Sequence, residues 1–319
     1  MSERPFAEGA RRPRWEHFRA ALDAKGFRPS RRLGQNFLLD ENQALAIARD
    51  AAFSPGEFVL EVGAGCGFLS THLVGLGARL LAVEIDPRLA EIAAEFLGGS
   101  ILRPQGTVDA EQDPGQPPVG EAPQIILTDV LAGKHALAPA LEARLPKAER
   151  WHLVSNLPYS VSAPVLSLCA AREYAPVSMT VLVQLEVAER AAAQPGTRSW
   201  GPLSITLQSG YEASVVRHIG PASFWPRPKV DSAVLRLERR EVRPSSADRV
   251  RLRRLVERLF QRRRQTLQRV LGDVFRDRPG VSAVLAELDL EPATRAENLP
   301  IPELDRLSRA LEARFGPIT

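Results

Sequence analysis

Short apolar runs alternate with longer segments of helical spacing through most of the chain, and this alternation constrains the fold more than any other feature. A strand followed by a helix and another strand favours parallel pairing, because the crossover returns the chain to the same end of the sheet. The sequence therefore predicts an α/β fold with a doubly wound parallel sheet. The predicted strands span residues 58–63, 79–84, 124–128, 151–154, 178–185, 212–219 and 231–237.

The last part of the chain has a different pattern. Residues 241–248 contain Pro and Ser, as is typical of a linker, and only helical spacing follows. We therefore predict a tail and first helix (1–28), a sheet domain (29–241) and a small all-α domain (242–319). Residues 103–123, rich in Pro, Gly, Gln and Asp, predict a surface excursion. Helices are expected at residues 15–25, 41–52, 88–97, 136–145, 161–171, 249–269, 281–288 and 301–315.

The composition narrows the class of protein. The chain of 319 residues has two cysteines, too few for a disulfide framework or a metal-ligand cluster. No apolar run approaches the ~18 residues of a membrane span, and no signal-peptide core follows Met1. We expect a cytoplasmic protein without a bound metal. The start of the chain, rich in Arg and Pro, predicts a mobile tail, with an organelle transit peptide as the alternative.

A glycine-rich loop follows the first predicted strand of the sheet. That strand runs from Phe58 into Gly63, Gly65 and Gly67, and a helix is expected to begin near Phe68. Glycines let the backbone turn sharply and approach a ligand closely, and the helix directs its first amides at a carboxylate or phosphate. The spacing differs from the Gly-x-Gly-x-x-Gly dinucleotide fingerprint. The loop by itself favours a small-molecule site without identifying the ligand.

Acidic residues end the next two predicted strands. Glu84 lies 21 residues after Gly63, the offset expected of a carboxylate that accepts hydrogen bonds from two ribose hydroxyls. Asp129 follows strand 124–128 and is placed to accept from the amino group of a bound adenine. Helix capping is the alternative for both acids. Because strand, glycines, helix and acid occur together, we favour a nucleoside-binding site.

The run Val154-Ser-Asn-Leu-Pro-Tyr159 ends another buried strand. The side-chain carbonyl of Asn156 can accept a hydrogen bond from an amino group. Pro158 fixes the backbone and favours an extended Leu157, so the carbonyls of this turn have a fixed direction. Tyr159 offers a flat face for base stacking. The run predicts a site for a flat, amine-bearing ring such as adenine, and a plain proline turn is the alternative.

Two further segments carry polar or aromatic side chains in loops. Residues 29–40 are basic, then carry the amides Gln35 and Asn36, and then turn apolar before a helix. They predict a lid over a small ligand, with a loop solvated by its own amides as the alternative. Residues 224–229, Phe-Trp-Pro-Arg-Pro-Lys, predict a rigid turn with two aromatic rings and two positive charges.

Residues 249–269 form the most basic segment. They hold nine arginines against a single acid, Glu257, with apolar residues at helical spacing. The pattern predicts an amphipathic helix with a basic outer face, suited to RNA because arginine binds phosphate oxygens bidentately. A solvated helix surface is the alternative, and the excess of arginine over lysine also fits a GC-rich genome.

In this order the motifs resemble those of the ribosomal RNA adenine dimethyltransferases that act on the small ribosomal subunit. The resemblance covers about residues 31–311. It has two departures: Cys66 stands where the family has a larger apolar residue, and residues 103–123 are longer than usual. Neither removes a polar group that the chemistry needs. The matching motifs are Leu33-Gly-Gln-Asn-Phe-Leu38, Glu61-Val-Gly-Ala-Gly-Cys-Gly67, Val83-Glu-Ile-Asp86, Asn156-Leu-Pro-Tyr159, Phe224, Pro228-Lys-Val-Asp-Ser-Ala-Val234, Gln261-Arg-Arg-Arg-Gln-Thr266 and Arg295-Ala-Glu-Asn-Leu299.

The resemblance implies a Rossmann-like class I methyltransferase with a small all-α C-terminal domain and with S-adenosyl-L-methionine as methyl donor. Gly63 would lie against the methionine portion, Glu84 on the ribose and Asp129 near the adenine, while Asn36 and Leu38 close over the cofactor. The residues implied in target binding and catalysis are Asn156, which lies between the two pockets, Leu157, Pro158, Tyr159 and Phe224. Those implied in RNA binding are Lys229, Arg262, Arg263 and Arg264.

The implied reaction is dimethylation of the exocyclic N6 of two adjacent adenosines near the 3′ end of small-subunit (16S) rRNA. The partner would be that rRNA in the assembling 30S particle, and the enzyme would act as a cytoplasmic monomer. Two alternatives stay open: a methyltransferase of the same fold for large-subunit rRNA, of the macrolide-resistance type, and a non-catalytic RNA-binding assembly or transcription factor. The long basic C-terminal region and the run Pro228-Lys-Val-Asp-Ser-Ala-Val234 favour small-subunit over large-subunit rRNA, and the intact Asn156, Tyr159, Glu84 and Asp129 favour an enzyme over a non-catalytic factor.

Overall fold

The apolar runs form the strands of one large sheet, and a separate pair of short strands forms a second. The structure is a computed structural model, and it describes residues 13–30, 33–104, 122–133 and 135–318. The predicted N-terminal tail, up to residue 12, and the excursion at 103–123, except its ends, lie outside these residues. The strands are β1 (Phe37–Leu38), β2 (Phe58–Val62), β3 (Arg79–Glu84), β4 (Ser100–Leu102), β5 (Gln124–Leu127), β6 (Trp151–Asn156), β7 (Ser178–Gln184), β8 (Tyr211–Ile219), β9 (Phe224–Trp225) and β10 (Ser232–Arg239).

The large sheet has the strand order β4-β5-β3-β2-β6-β7-β10-β8. The pairs from β4 to β7 are parallel, whereas β10 runs antiparallel to β7. The α/β class is confirmed, but a wholly parallel sheet is wrong at this edge. A parallel return needs a crossover helix, and residues 220–231, which precede β10, hold only a 3-10 turn and β9.

Most helices lie where the sequence predicts them. The helix expected at 136–145 is wrong, because only four of its residues are helical. Leu137 instead forms a bridge with Leu131, and the amide of Ala138 donates to the carbonyl of Val130. The helices are α1 (Trp15–Ala24), α2 (Glu41–Asp50), α3 (Phe68–Gly75), α4 (Pro87–Leu97), α5 (Pro139–Glu142), α6 (Ser162–Ala171), α7 (Leu185–Ala191), α8 (Pro202–Gln208), α9 (Ser246–Gln261), α10 (Leu267–Phe275), α11 (Arg278–Glu287) and α12 (Ile301–Phe315).

The apolar spacing of the basic segment 249–269 predicts a single helix, and this prediction is wrong. Helix α9 ends at Gln261, and α10 begins after a turn of five residues. Thr266 caps α10, because its Oγ1 accepts from the amide of Arg269 at 3.4 Å. Strand β4 was not expected either, since it is short and only partly buried.

Contacts divide the chain into two compact units. The first comprises Met1–Cys169, Tyr174–Ala188 and Ser214–Glu238. Every residue of β2 is buried, and in β3 only Arg79 is partly exposed. Strands buried on both faces are typical of a parallel sheet with helices on either side, and they give the loops at the ends of β2 and β3 a rigid support.

The second unit comprises Ala170–Glu173, Glu189–Ala213 and Arg239–Thr319. Apolar residues of α9 to α12 form its core, and Trp200, 1% exposed, is part of that core. The sequence order assigns residue 200 to the sheet domain, whereas its packing is with the helical unit. The domain boundaries that we predict follow the chain order alone, and they stay a prediction.

Within the described ranges, no helix combines the length and the apolar character needed to cross a membrane. The same ranges hold no group of three or more His, Cys, Asp or Glu side chains suited to a metal ion. Cys66 and Cys169 are both buried.

Candidate active site

A cavity of about 360 Å³ lies at the carboxyl ends of the parallel strands. Residues that follow β2, β3, β5 and β6 form its wall together with β1. In open α/β sheets, ligands bind at this edge where neighbouring strands connect in opposite directions, and here β3 and β6 flank β2. The volume lies in the range of small-molecule sites. The predicted site residues that line the cavity are Asn36, Leu38, Gly63, Glu84, Asp129, Asn156, Leu157, Pro158 and Tyr159.

Two glycines shape the loop after β2. Gly63 and Gly65 have φ values of +73° and +59°, which residues with a side chain rarely adopt. A Cβ on Gly63 would lie 2.9 Å from Cγ of Pro158, and one on Gly65 would lie 3.1 Å from the ring of Phe37. The glycine loop is therefore pressed directly against the Asn-Leu-Pro-Tyr turn, a contact that the sequence alone does not reveal.

Glu84 is 4% exposed, and backbone amides hold its carboxylate at the tip of β3. Its Oε2 accepts from the amide of Gly65 at 2.7 Å, and its Oε1 accepts from the amides of Ile85 and Asp86 at 2.9 Å each. Burial raises the pKa of this carboxyl above its ordinary value. A carboxylate has about four acceptor sites, so it retains capacity for a ligand hydroxyl. The predicted ribose contact stays a prediction.

Asn156 ends β6 and is oriented by the loop that precedes β1. Its Nδ2 donates to the backbone carbonyl of Asn36 at 3.0 Å. This bond turns the amide so that Oδ1 is the atom left to accept. The amide of Leu157 donates to the carbonyl of Leu182, while the Leu157 carbonyl accepts from no described residue. Two consecutive residues that line the cavity, Asn156 and Leu157, therefore each carry an oxygen that accepts from no described residue.

Tyr159 also lines the cavity, and its hydroxyl shares a hydrogen bond of 2.8 Å with Oγ of Ser232. Burial raises the pKa of this phenol, so it is neutral at physiological pH. The bond holds the hydroxyl end of the side chain in place, so the ring stays at the cavity wall. Asp129 is exposed, and its Oδ1 accepts from the amide of Leu131 at 3.0 Å. Its Oδ2 has no partner among the described residues and is available to a ligand.

Two residues of the predicted lid segment 29–40 form the short strand β1, and its role as a lid stays a prediction. In β1, Phe37 pairs with Trp225 and Leu38 pairs with Phe224. Phe224 is 3% exposed and is not among the residues that line the cavity. Its predicted stacking on the target base therefore stays a prediction, as does RNA contact by the exposed Lys229.

Glu61 is a site residue that our sequence analysis missed. It is 1% exposed, yet it lines the cavity. Its Oε2 accepts from Oγ of Ser70 at 2.5 Å, and its Oε1 has no partner in the described part of the chain. Burial raises the pKa of this carboxyl to about 8. An acid inside the apolar run 58–62 was the available signal, because a buried carboxyl without a charged partner is costly.

The three arginines predicted to bind RNA lie in the second unit and differ in environment. Arg262 pairs with Asp273 at 2.7 Å, and Arg263 pairs with Glu297 at 2.7 Å. Arg264 is exposed and has no partner among the residues that the structure describes. Of the three, Arg264 is therefore the one whose charge is not already neutralised.

The family described as "Ribosomal RNA adenine dimethylase" matches residues 26–311. A curated relative from Lactobacillus delbrueckii subsp. bulgaricus, named "Ribosomal RNA small subunit methyltransferase A", is 37% identical over 279 residues, covering 88% of this chain and 89% of the relative. The chain belongs to the ribosomal RNA adenine dimethylase family. The predictions of an enzyme and of S-adenosylmethionine as its methyl donor are thereby confirmed.

Solved structures of adenine dimethylases and related enzymes share this fold. The crystal structure of "23S rRNA methyltransferase ErmE" is 26% identical with a TM-score of 0.60, covering 86% of this chain and 99% of that chain. A dimethyladenosine transferase from Plasmodium falciparum is 20% identical with a TM-score of 0.69, covering 89% and 100%. The class I methyltransferase fold is thus confirmed. The cavity fits the cofactor of this family, since glycines allow close approach and Glu84 and Asp129 supply acceptors for a nucleoside.

Proposed function

We propose that this protein dimethylates the N6 amines of two adjacent adenosines near the 3′ end of small-subunit rRNA. The observation that carries the proposal is the pair of acceptors formed by Oδ1 of Asn156 and the carbonyl of Leu157 at the cavity wall. The 37% identity to a relative named for the small subunit supports this substrate over large-subunit rRNA, for which the structural relative is 26% identical.

S-adenosylmethionine, when bound, supplies an electrophilic methyl group on a sulfonium. The adenine amine is a poor nucleophile, because its lone pair is delocalised into the ring. Oδ1 of Asn156 and the carbonyl of Leu157 would accept hydrogen bonds from the two N–H groups of the unmethylated amine. They would hold its nitrogen pyramidal, with its lone pair directed at the methyl. Placing the two reactants in this way accounts for several kcal/mol of the barrier, roughly 7–11 kcal/mol at best.

Tyr159 would hold the target ring by stacking, with its hydroxyl held by Ser232. A base must leave the RNA stack to reach it, which favours single-stranded or loop nucleotides. No strong general base is required, because methyl transfer to the neutral amine would give an acidic ammonium, and water can take its proton. The buried phenol of Tyr159 is neutral and serves only in positioning.

Each acid of the cavity would bind a different part of the cofactor. Glu84 would accept from the ribose and Asp129 from the adenine amine. Glu61, with Oε1 toward the cavity, would accept from the ammonium of the methionine portion beside Gly63. Asn36 would join both pockets, because its backbone carbonyl holds Asn156.

Both units would contribute to RNA binding. Lys229 of the first unit and Arg264 of the second would contact phosphates. Arg262 and Arg263 could also bind phosphates by exchanging their carboxylate partners for RNA. The substrate would be the rRNA within the assembling 30S particle. The enzyme would act there as a monomer in the cytoplasm.

Deleting the gene and mapping N6,N6-dimethyladenosine in both ribosomal RNAs tests the proposal. We expect the modification to disappear from two adjacent adenosines near the 3′ end of small-subunit rRNA and to return with the wild-type gene. Return with Asn156→Ala would contradict the mechanism. Loss from large-subunit rRNA instead would establish the alternative substrate, and no loss in either would contradict the proposed function.

A further inference from the structure

An arginine lies flat on a tryptophan beside the cavity. The guanidinium of Arg19, on α1, lies 4.0 Å above the ring of Trp225, on β9. The other neighbours of that ring are Phe37, stacked at 5.8 Å with an interplanar angle of 27°, and Trp15 at 6.3 Å. Arg19, Trp225 and Phe37 thus form a continuous stack, which we call the Arg19 shelf.

The Arg19 shelf is connected directly to the cavity wall. Phe37 lines the cavity, and its neighbour in the register of the small sheet is Trp225. Phe37 therefore separates the cavity from Trp225 by the thickness of one ring. A nucleotide next to one held in the cavity would reach this surface, because bases in single strands extend from consecutive sugars.

The guanidinium of Arg19 is held by an ion pair that leaves its other N–H donors available to a ligand. Its Nε donates to both carboxylate oxygens of Asp23, at 3.2 and 3.1 Å. Its two terminal nitrogens have no partner among the described residues, and the side chain is 40% exposed. The guanidinium lies over the Trp225 ring, and the exposed part of the side chain can be reached by a base. Most surface arginines lose conformational entropy on binding, whereas this one is already ordered.

Two cations extend the Arg19 shelf. Arg227 and Lys229 follow Trp225 within four residues, both are exposed, and neither has a hydrogen-bond or ion-pair partner in the described chain. Residues 224–230 contain no acid. Single-stranded RNA is bound by this combination: bases stack on aromatic rings or arginine planes, and nearby cations contact phosphates.

We propose that the nucleobase adjacent to the target adenosine stacks on the guanidinium of Arg19 while Arg227 and Lys229 contact the flanking phosphates. This inference rests on the proposed function, since it needs an RNA adenosine in the cavity. It adds a subsite that holds the neighbouring base out of the RNA stack. A flat guanidinium can stack on a base, and a lysine ammonium cannot.

The test combines a variant with a change in the substrate. Small-subunit particles lacking the dimethylation are reconstituted with rRNA that is abasic at one nucleotide next to a target adenosine: the nucleotide before the adenosine pair, the nucleotide after it, or the other adenosine of the pair. We expect Arg19→Lys to lower kcat/KM about tenfold on intact particles, because the stacking of one base is lost. On the particle that lacks the base that stacks on Arg19, the kcat/KM of Arg19→Lys should equal that of the wild type.

Arg79→Lys is the matched control, because Arg79 also covers an aromatic ring, Phe58, at 5.5 Å and also pairs with an acid, but at the amino end of β3. Affinity for S-adenosylmethionine should be unchanged in both variants, which shows that each is folded. If Arg19→Lys lowers kcat/KM equally on intact and abasic particles, or not at all, the subsite does not exist and Arg19 only attaches α1. If the wild type fails to methylate intact particles, the proposed function fails instead.

Discussion

Asn156 has a carboxamide with both a donor and an acceptor, and a neighbouring residue determines which one faces the ligand. The backbone carbonyl of Asn36 takes the Nδ2 donor. A carbonyl could not bind the oxygen of the amide, so Oδ1 is directed away from Asn36. This single hydrogen bond turns an ambiguous side chain into an acceptor for an amine.

Asn156→Ala should lower turnover about a hundredfold, because a misplaced amine loses most of the benefit of positioning. RNA affinity should change little, since phosphate contacts carry most of the binding. The measurement is single-turnover formation of mono- and dimethyladenosine at saturating S-adenosylmethionine, beside RNA binding. Ser160→Ala, at another residue of the cavity wall, is the control. Turnover near wild type would contradict the role assigned to Asn156.

Glu84→Ala should weaken binding of S-adenosylmethionine by roughly 1.5–3 kcal/mol, the contribution of hydrogen bonds to a charged group. Calorimetric titration measures this change. Glu91→Ala is the control, because Glu91 is a partly exposed acid of α4 that pairs with Lys25. Equal affinities for wild type and Glu84→Ala, with the fold intact, would exclude the ribose contact.

Glu61 should make the ligand-free protein less stable as the pH rises. Its pKa is raised from an ordinary 4.5 to about 8 by burial, so its contribution to stability is present below pH ~4.5 and is lost as the pH approaches 8. Glu61→Gln keeps a partner for Ser70 but cannot ionise. We expect the variant to exceed wild type by roughly 2–4 kcal/mol at pH ~8 and to differ much less at pH ~5.

Denaturant unfolding at the two pH values, without cofactor, measures the difference for Glu61→Gln. The control is Glu91→Gln, at an acid whose side chain is 44% exposed. A constant difference between Glu61→Gln and wild type across this pH range would show that the Glu61 carboxyl is not neutral in the ligand-free protein.

At the scale of elements, helix α9 contains two kinds of arginine. Arg251 is 14% exposed and binds Asp248, Ser308 and Glu312, the last two at 3.2 Å. It joins the start of α9 to α12. Arg254 is exposed and has no partner among the described residues. The basic outer face predicted from nine arginines is therefore smaller than the count suggests.

Arg251→Ala should lower the free energy of unfolding by roughly 1.5–3 kcal/mol, because Glu312 loses its cation and Asp248 keeps only its ion pair with Arg309. Arg254→Ala should change it by less than about 0.5 kcal/mol, as is usual at exposed positions. Thermal and denaturant unfolding measure both. Equal stability losses in the two variants would show that the ion pairs of Arg251 contribute nothing beyond a surface charge.

At the scale of the whole molecule, the net charge of +4 is too small to bind RNA by itself, so the arrangement of the unpaired arginines matters. Replacing Arg254 and Arg264 with Ala should reduce the slope of log affinity for RNA against log salt by about 0.7–0.9 for each lost phosphate contact. Affinity for S-adenosylmethionine should not change. Binding measured across a salt series gives the slope.

The control for the salt series is Arg150→Ala, which also removes an exposed arginine but at the amino end of the sheet, where Arg150 pairs with Glu57. A slope that falls as much in this control as in the double variant would mean that net charge alone is measured. An unaltered slope in the double variant would mean that these arginines are solvated and do not contact RNA phosphates.

The sequence by itself determined the parts of the site that depend on local backbone. Gly63 and Gly65 indicated a loop that only glycine allows, and Glu84 indicated an acid at the end of a strand. Pro158 indicated a turn with fixed carbonyls. Each of these signals lies within a few residues of the group it positions, so chain geometry alone makes it readable. The alternation of strands and helices fixed the fold class for the same reason.

Only the tertiary structure decided which atoms face the ligand and which charges are available. Asn36 and Asn156 are 120 residues apart, and no periodicity reports a hydrogen bond across that distance. The raised pKa of Glu61 depends on burial, and the pairing of Arg251 with Glu312 depends on α12. The break between α9 and α10 also escaped the apolar pattern, because the backbone there pairs with distant residues: Thr266 forms a bridge with Arg295, and the amide of Leu267 donates to the carbonyl of Thr294. Hydrogen bonds and desolvation act between groups that only the folded chain brings together.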